Sequence, residues 1–243
     1  MDAPPNTGYM LVSFEIVDDV SVVRLDDGKA NVLSLPTLRA LNSALDQAEN
    51  AKLPIILTGR AKFFSAGFDL GTMAKGGQET FDMLNGGISL AVRLLRVQTP
   101  LILACNGHAM AMGMFLLQCG DYRIGVSGNF KYVANEVTMG MAVPWSMIEV
   151  LRQRLTPAAF SRAVLLAETF TPVNGIENGV LDRVVTNEEE LMPAAMEFAK
   201  STSRLNFDAH AISKRRLRDE VVDAIQTGWE KDKNDMRALL QIP

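Results

Sequence analysis

Two cysteines and two histidines are all the thiol and imidazole ligands that this chain of 243 residues offers to a structural zinc ion or a disulfide. Cys105 and Cys119 share no CxxC spacing, and His108 and His210 belong to no cluster. No metal site and no disulfide framework are therefore expected, but two buried, reduced thiols, as suits the cytoplasm. Charge of one sign is also scarce. A net charge of −4 and a pI near 5.3 leave no basic footprint for nucleic acid or an anionic membrane. The opening MDAPPNTGYM has no basic segment followed by an apolar one, so no secretory leader is expected. Between Arg96 and Asp121 there is no charged residue, yet Pro100, Asn106, Gly107, His108 and Gln118 interrupt the stretch. A membrane span needs about 20 predominantly apolar residues, so this reads as a buried core segment with a turn in its middle. P-loop, dinucleotide GxGxxG and GxSxG signatures are missing too, since GVSGN lacks the spacer between Ser127 and Gly128.

What remains is ordinary globular composition, 48% hydrophobic, ample for a sizeable core. Two β-rich runs, 11 to 17 and 20 to 25, flank an Asp-Asp pair and predict an N-terminal hairpin. Pro36 opens a helical pattern with Leu38, Leu41 and Leu45 on one face, reaching about residue 50. LPIILTG and LILACNG read as buried strands with a helix from about 80 to 97 between them. Strand pieces near 121 to 126 and 130 to 133, helices near 144 to 154, 157 to 168 and 172 to 179, and a strand in GVLDRVV follow. From 187 onward the pattern is helical, with Pro193 placed in a first turn. The alternation predicts an α/β architecture with a helical tail. Gly76-Gly77 and Gly86-Gly87 read as loops or a mobile segment.

Two loops of small residues carry the chemistry. LTGRAKFFSAGFDL, 57 to 70, runs from a buried strand through Ser65, Ala66 and Gly67, which let a ligand approach the backbone, and offers the Phe68 amide. CNGHAMAMGMF, 105 to 115, offers a second amide near Met112 at a helix start. Two such amides aimed at one carbonyl oxygen make an oxyanion hole; on the pattern alone, two tight strand-to-helix turns are the simpler account.

With NEVTMGMAVPW, 135 to 145, these segments resemble the three signature stretches of the crotonase, or enoyl-CoA hydratase/isomerase, superfamily, in order and correctly spaced. Together with GIENGVLDRVV the resemblance covers most of residues 10 to 190. It implies a spiral of ββα repeats over residues 1–190, a C-terminal helical region over 191–243 used in trimerisation, and a coenzyme A thioester as substrate, with no separate cofactor and no metal. Homotrimers, or hexamers built from two of them, are implied as the assembly, with no nucleic-acid or membrane partner. The thioester oxygen maps between the Phe68 and Met112 amides. Relatives usually have glycine where Met112 stands, so its side chain must turn away from the substrate. Lys29, Ala30 and Val32 in GKANVLS map onto the first CoA-contacting loop, and Ala66, Asp69 and Leu70 onto the segment at the adenine end. Gly113 and Phe115 fall beside the acyl thioester. Lys214, Arg215 and Arg218 of SKRRLRDE are candidates for phosphate contacts; a solvated helix face is the alternative.

Hydration needs two carboxylates, one to activate water and one to handle the proton at C2. One maps onto Phe115, which cannot titrate, and the other onto Glu136. One carboxylate and an oxyanion hole suffice to move a proton from C2 to C4 of a thioester. That is the chemistry of the Δ3,Δ2-enoyl-CoA isomerases, whose wording also resembles the Glu136-to-Pro144 spacing before Trp145. Set among Val137, Met139 and Met141, with no basic residue between Lys131 and Arg152, Glu136 is expected to have its pKa raised by desolvation. Met110, Met112, Met114, Met139 and Met141 suit an adaptable acyl tunnel, and ordinary core filling explains each equally well. The rival readings are an enoyl-CoA hydratase, a thioester hydrolase or decarboxylase using the same hole, and a non-catalytic acyl-CoA-binding protein. His108, Asp69 and Asp121 read as structural.

Overall fold

A computed structural model of the chain describes residues 10–240 and Ile242. The first nine residues, on which the reading of the N-terminus rests, lie outside the described residues.

The chain opens with the expected hairpin, β1 (Val12–Val17) against β2 (Val20–Leu25), with Val17 opposite Val20. Asp18 and Asp19 take φ of 47° and 60°, the pair of left-handed residues that a two-residue turn needs to match the strand twist. Four turns of strand, short strand and helix follow. The first is β2, β3 (Val32–Leu33) and α1 (Leu35–Ala51), whose Ser34 cap receives the Thr37 amide. In the second come β4 (Ile55–Thr58), β5 (Lys62–Ser65), β6 (Gly67–Phe68), the one-and-a-half-turn α2 (Leu70–Lys75) and α3 (Gly77–Arg96). The third is β7 (Leu101–Cys105), β8 (Gly107–Met110) and α4 (Met112–Leu117). The fourth is β9 (Tyr122–Val126), β10 (Tyr132–Val133) and α5 (Trp145–Arg152). Helices α6 (Pro157–Leu166) and α7 (Pro172–Gly175), strand β11 (Arg183–Val185), and helices α8 (Glu188–Ser201) and α9 (Phe207–Leu240) complete it.

The long strands form one sheet, β1-β2-β4-β7-β9-β11, parallel except for the β1 edge. Both faces are covered, which is why β4 and β7 read as unbroken apolar runs. Val23, Ile55, Leu57, Leu101 and Leu103 join the larger core with α1 and α3. Val20, Ile56, Ile102, Ala104 and Ile124 pack on Leu191, Ala195 and Ala199 of α8. The short strands make a second, parallel set, β10-β8-β5, with β3 paired to β6 beside it. This is the ββα spiral that the resemblance implies.

Three local expectations are corrected. Gly86 and Gly87 sit inside α3 rather than in a loop; a Cβ on Gly87 would stand 2.4 Å from the Phe68 ring, so the glycine is there for close packing. Pro193 lies past the first turn of α8. The helix predicted for 172 to 179 shrinks to the single turn of α7. Cys105 and Cys119 are buried free thiols, held as thiols by burial that pushes both up to about 12. Among the described residues no helix is long and apolar enough to cross a membrane.

Candidate active site

Strands β5, β8 and β10 run parallel side by side, with Phe63 opposite His108 and Val133 opposite Met110. Their carboxyl ends therefore open on one side. The segments leaving those ends are Ala66–Phe68, Ala111–Met112 and Ala134–Glu136, the three that carry the signature residues. Outside the carboxyl ends of adjacent parallel strands is where α/β proteins place ligands.

The first two segments touch backbone to backbone. Gly67 has φ of +90°, and a Cβ there would lie 2.9 Å from Met110 O and 3.1 Å from Met112 N. A Cβ on Gly113 would collide with Ser65 O at 2.2 Å. Only glycine permits either approach, and the result is that Phe68, next to Gly67, and Met112 are brought together. Met112 is the first residue of α4, so its N–H has no acceptor within the helix. Ala111, just before it, is held at φ 47°, ψ −125°, a region costly for any residue with a Cβ. The Met112 side chain is buried, its Cε 3.6 Å from the position of a Gly87 Cβ, where the Phe68 ring also rests. Both side chains thus pack toward α3. Phe115 is 1% exposed and belongs to the main core.

The third segment is tied to the second by Ala111 N–H donating to Val133 O at 2.8 Å. Three residues on, Glu136 begins a 3-10 turn whose Met139 and Met141 amides donate to its carbonyl at 3.0 and 2.9 Å. Glu136 is 8% exposed. Oε2 has no hydrogen-bond partner among the described residues. Burial pushes the carboxyl up to about 7 from the usual 4.5, the direction expected for a desolvated acid. Its neighbours Val137, Met139 and Met141 are exposed, so the apolar surroundings expected from them are not what buries it.

The predicted CoA loop is built against the same strands. Ala66 N–H donates to Ala30 O at 3.0 Å, and Val32 pairs with Gly67. Lys29 and Leu70 are exposed, and Ala30, Val32, Ala66 and Asp69 half-buried. Asp69 caps α2, accepting from the Thr72 amide and hydroxyl at 2.8 Å, and these bonds hold its carboxyl below the usual range. The residues that shape the loop were not singled out from sequence. Buried Asn31, at φ 55°, donates to Leu25 O, Phe63 O and Phe64 O. Asp27 accepts from the amides of Lys29, Asn31 and Val32, and Arg60 donates to Lys29 O at 2.6 Å. The one available signal was the DGKAN turn itself, since Asp and Asn bond their own backbone in turns.

Of the three basic candidates in α9, Lys214 and Arg218 are buried on Asp121, at 2.7 and 2.9 Å, and serve the fold; Arg215 is exposed. Asp121 also accepts from Leu101 N–H. His108 accepts from Lys131 N–H and packs between Phe63 and Phe130, a structural role as read. No group of three or more metal-ligating side chains occurs among the described residues.

A sequence profile described as enoyl-CoA hydratase/isomerase matches residues 15–241. A probable enoyl-CoA hydratase from Mycobacterium tuberculosis H37Rv is 38% identical in a structural match covering 93% of this chain and 95% of that one, with a TM-score of 0.89. The human mitochondrial Δ3-Δ2-enoyl-CoA isomerase matches at 26% identity over 95% of this chain and 92% of its own, TM-score 0.87. Carnitinyl-CoA dehydratase from Salmonella enteritidis is 30% identical over 182 residues, 73% of this chain and 69% of that protein.

Proposed function

The chain belongs to the enoyl-CoA hydratase/isomerase family, and from that premise we propose that it moves the double bond of a fatty acyl-CoA from C3 to C2. The reading rests on one observation. Phe115, onto which the resemblance maps the second carboxylate, is a core residue that cannot titrate, which supports a one-base reaction at Glu136.

In the proposed reaction the thioester oxygen accepts hydrogen bonds from the Phe68 and Met112 amides. Ionised Glu136 removes a proton from C2 of the 3-enoyl thioester. The electron pair delocalises into a dienolate whose oxygen carries the charge between the two amides. Protonated Glu136 then returns the proton at C4, and the electrons settle as the C2=C3 bond. No water is consumed and the enzyme is regenerated. A carboxyl near 7 suits both halves, because a group that gives and takes one proton works best with its pKa near the operating pH. Lys29 binds a CoA phosphate in this reading, which its exposure on a loop hydrogen-bonded to Asp27 supports. Coenzyme A enters as part of the substrate.

The test uses 3-hexenoyl-CoA and crotonyl-CoA in parallel. Appearance of the 2-enoyl product from the first, without water addition to the second, supports the proposal. Water addition to crotonyl-CoA assigns a hydratase, and saturable binding with neither reaction assigns an acyl-CoA-binding protein. Glu136→Gln is expected to abolish exchange of the α-proton in deuterated water while leaving CoA-ester affinity within about tenfold; surviving exchange removes Glu136 as the base.

A further inference from the structure

The turn that carries Glu136 is held from within by backbone hydrogen bonds, such as those from the Met139 and Met141 amides to the Glu136 carbonyl, but not by packing into the core. Residues 137 to 142 are all exposed, so no side chain between Glu136 and Val143 is packed into the core. At its upstream end the segment is fixed by the β8–β10 pairing and the Ala111–Val133 hydrogen bond. Downstream it runs into α5 through Pro144, which supplies no side-chain cap. The first amides of α5 would then lack acceptors.

The acceptor comes from the far end of the chain. Asp232 of α9, 4% exposed, receives Trp145 N–H on Oδ1 at 2.9 Å, and Ser146 N–H and Oγ–H on Oδ2 at 2.9 and 2.7 Å. One turn away, Gly228 brings the α9 backbone against the same point: a Cβ there would stand 2.7 Å from Ser146 N. Trp229 holds α9 to α3 by donating to Asn85 at 2.9 Å and stacking on Phe81. Helix α9 is thus a brace from α3 to the start of α5, where the turn that carries Glu136 ends, and Asp232 is the hydrogen-bond acceptor it supplies there.

We propose that Asp232 is a positioning residue for Glu136, fixing the downstream anchor of an otherwise unpacked turn so that the carboxylate stays aligned with the reacting carbons. The inference rests on the reading of Glu136 as the base. Misplacing a reacting group by about 1 Å can cost on the order of 10²-fold in rate.

The experiment measures α-proton exchange of an acyl-CoA in deuterated water for wild type, Asp232→Ala, Asp232→Asn, Ser146→Ala and Glu136→Gln, each well below its melting temperature. Backbone hydrogen exchange across 136–146 is measured on the same proteins. Expected are a kcat loss of about 10- to 100-fold in Asp232→Ala with KM within about threefold, a smaller loss in Asp232→Asn, which keeps one acceptor oxygen, the mildest loss in Ser146→Ala, and faster amide exchange in that same order. Should Asp232→Ala fail to fold, the two milder variants carry the same comparison. Wild-type kcat in the Asp232 and Ser146 variants, with Glu136→Gln inactive, overturns the positioning role alone. An active Glu136→Gln instead overturns the reading of the base.

Discussion

Replacing Glu136 by glutamine isolates what it costs the fold to keep a carboxylate in a dry site. The folded protein holds this proton up to about pH 7, whereas the unfolded chain releases it near 4.5. Between those values the native state binds the extra proton, so the group's contribution to stability is full below 4.5 and falls as pH rises through 7. Each pH unit in that window is worth about 1.4 kcal/mol, which puts the ionisation penalty at about 3 kcal/mol, most of it felt between pH 5 and 8. Glutamine has the same shape and no charge to desolvate. Its effect on packing and hydrogen bonding is the same at both pH values, so the comparison cancels it. Thermal melts of both proteins at pH 5 and pH 8 should show glutamine gaining on wild type by about 5–10 °C across that interval, at 2–4 °C per kcal/mol for a chain of this size. The variant expected to lose catalysis is therefore the one that gains on the wild type as pH rises from 5 to 8. A melting gap that is the same at pH 5 and pH 8, or that narrows, would refute the argument that burial dominates at this carboxyl.

Two further substitutions test the frame of the site. Ala111→Gly removes the Cβ from a residue at φ 47°, ψ −125°, and relief of strain against the added freedom of glycine in the unfolded chain should leave a net gain of about 1 kcal/mol, read as a higher melting temperature; a lower one would deny that the turn is strained. Asp121→Asn leaves Lys214 and Arg218 buried without their carboxylate, which should destabilise by about 3–5 kcal/mol in urea denaturation, and a loss below about 1 kcal/mol would show that the pairs contribute no more than surface ion pairs do.

The long elements were legible because their signals are local. Val17 to Val20 with its Asp-Asp pair, Pro36 ahead of a leucine stripe, and the apolar runs of β4 and β7 each state their structure in a few residues. Strand β10 fell within the piece read near 130 to 133, whereas β5 and β8 escaped, since each is four residues long and takes its form from pairing across distant sequence. Gly87 was misread for a related reason: nothing near it in sequence reports that the Phe68 ring will lie on it. That Glu136, Phe68 and Met112 lie on neighbouring loops was legible through their segments, and so was the direction of the Glu136 shift. What buries Glu136 was not legible, because the residues beside it in the chain face outward. Lys214 and Arg218 looked like a solvated or phosphate-binding pair, and only the fold brings Asp121 beneath them.

The contact between Asp232 and the start of α5 spans 87 positions along the chain. A ribosome adding about 5–20 residues each second delivers the aspartate roughly 4 to 17 seconds after Trp145. During that interval the spiral of strands can already be assembled while the first amides of α5 still lack their acceptor. Nascent chains, and fragments ending before α9, should therefore hold a formed sheet and an unfinished site.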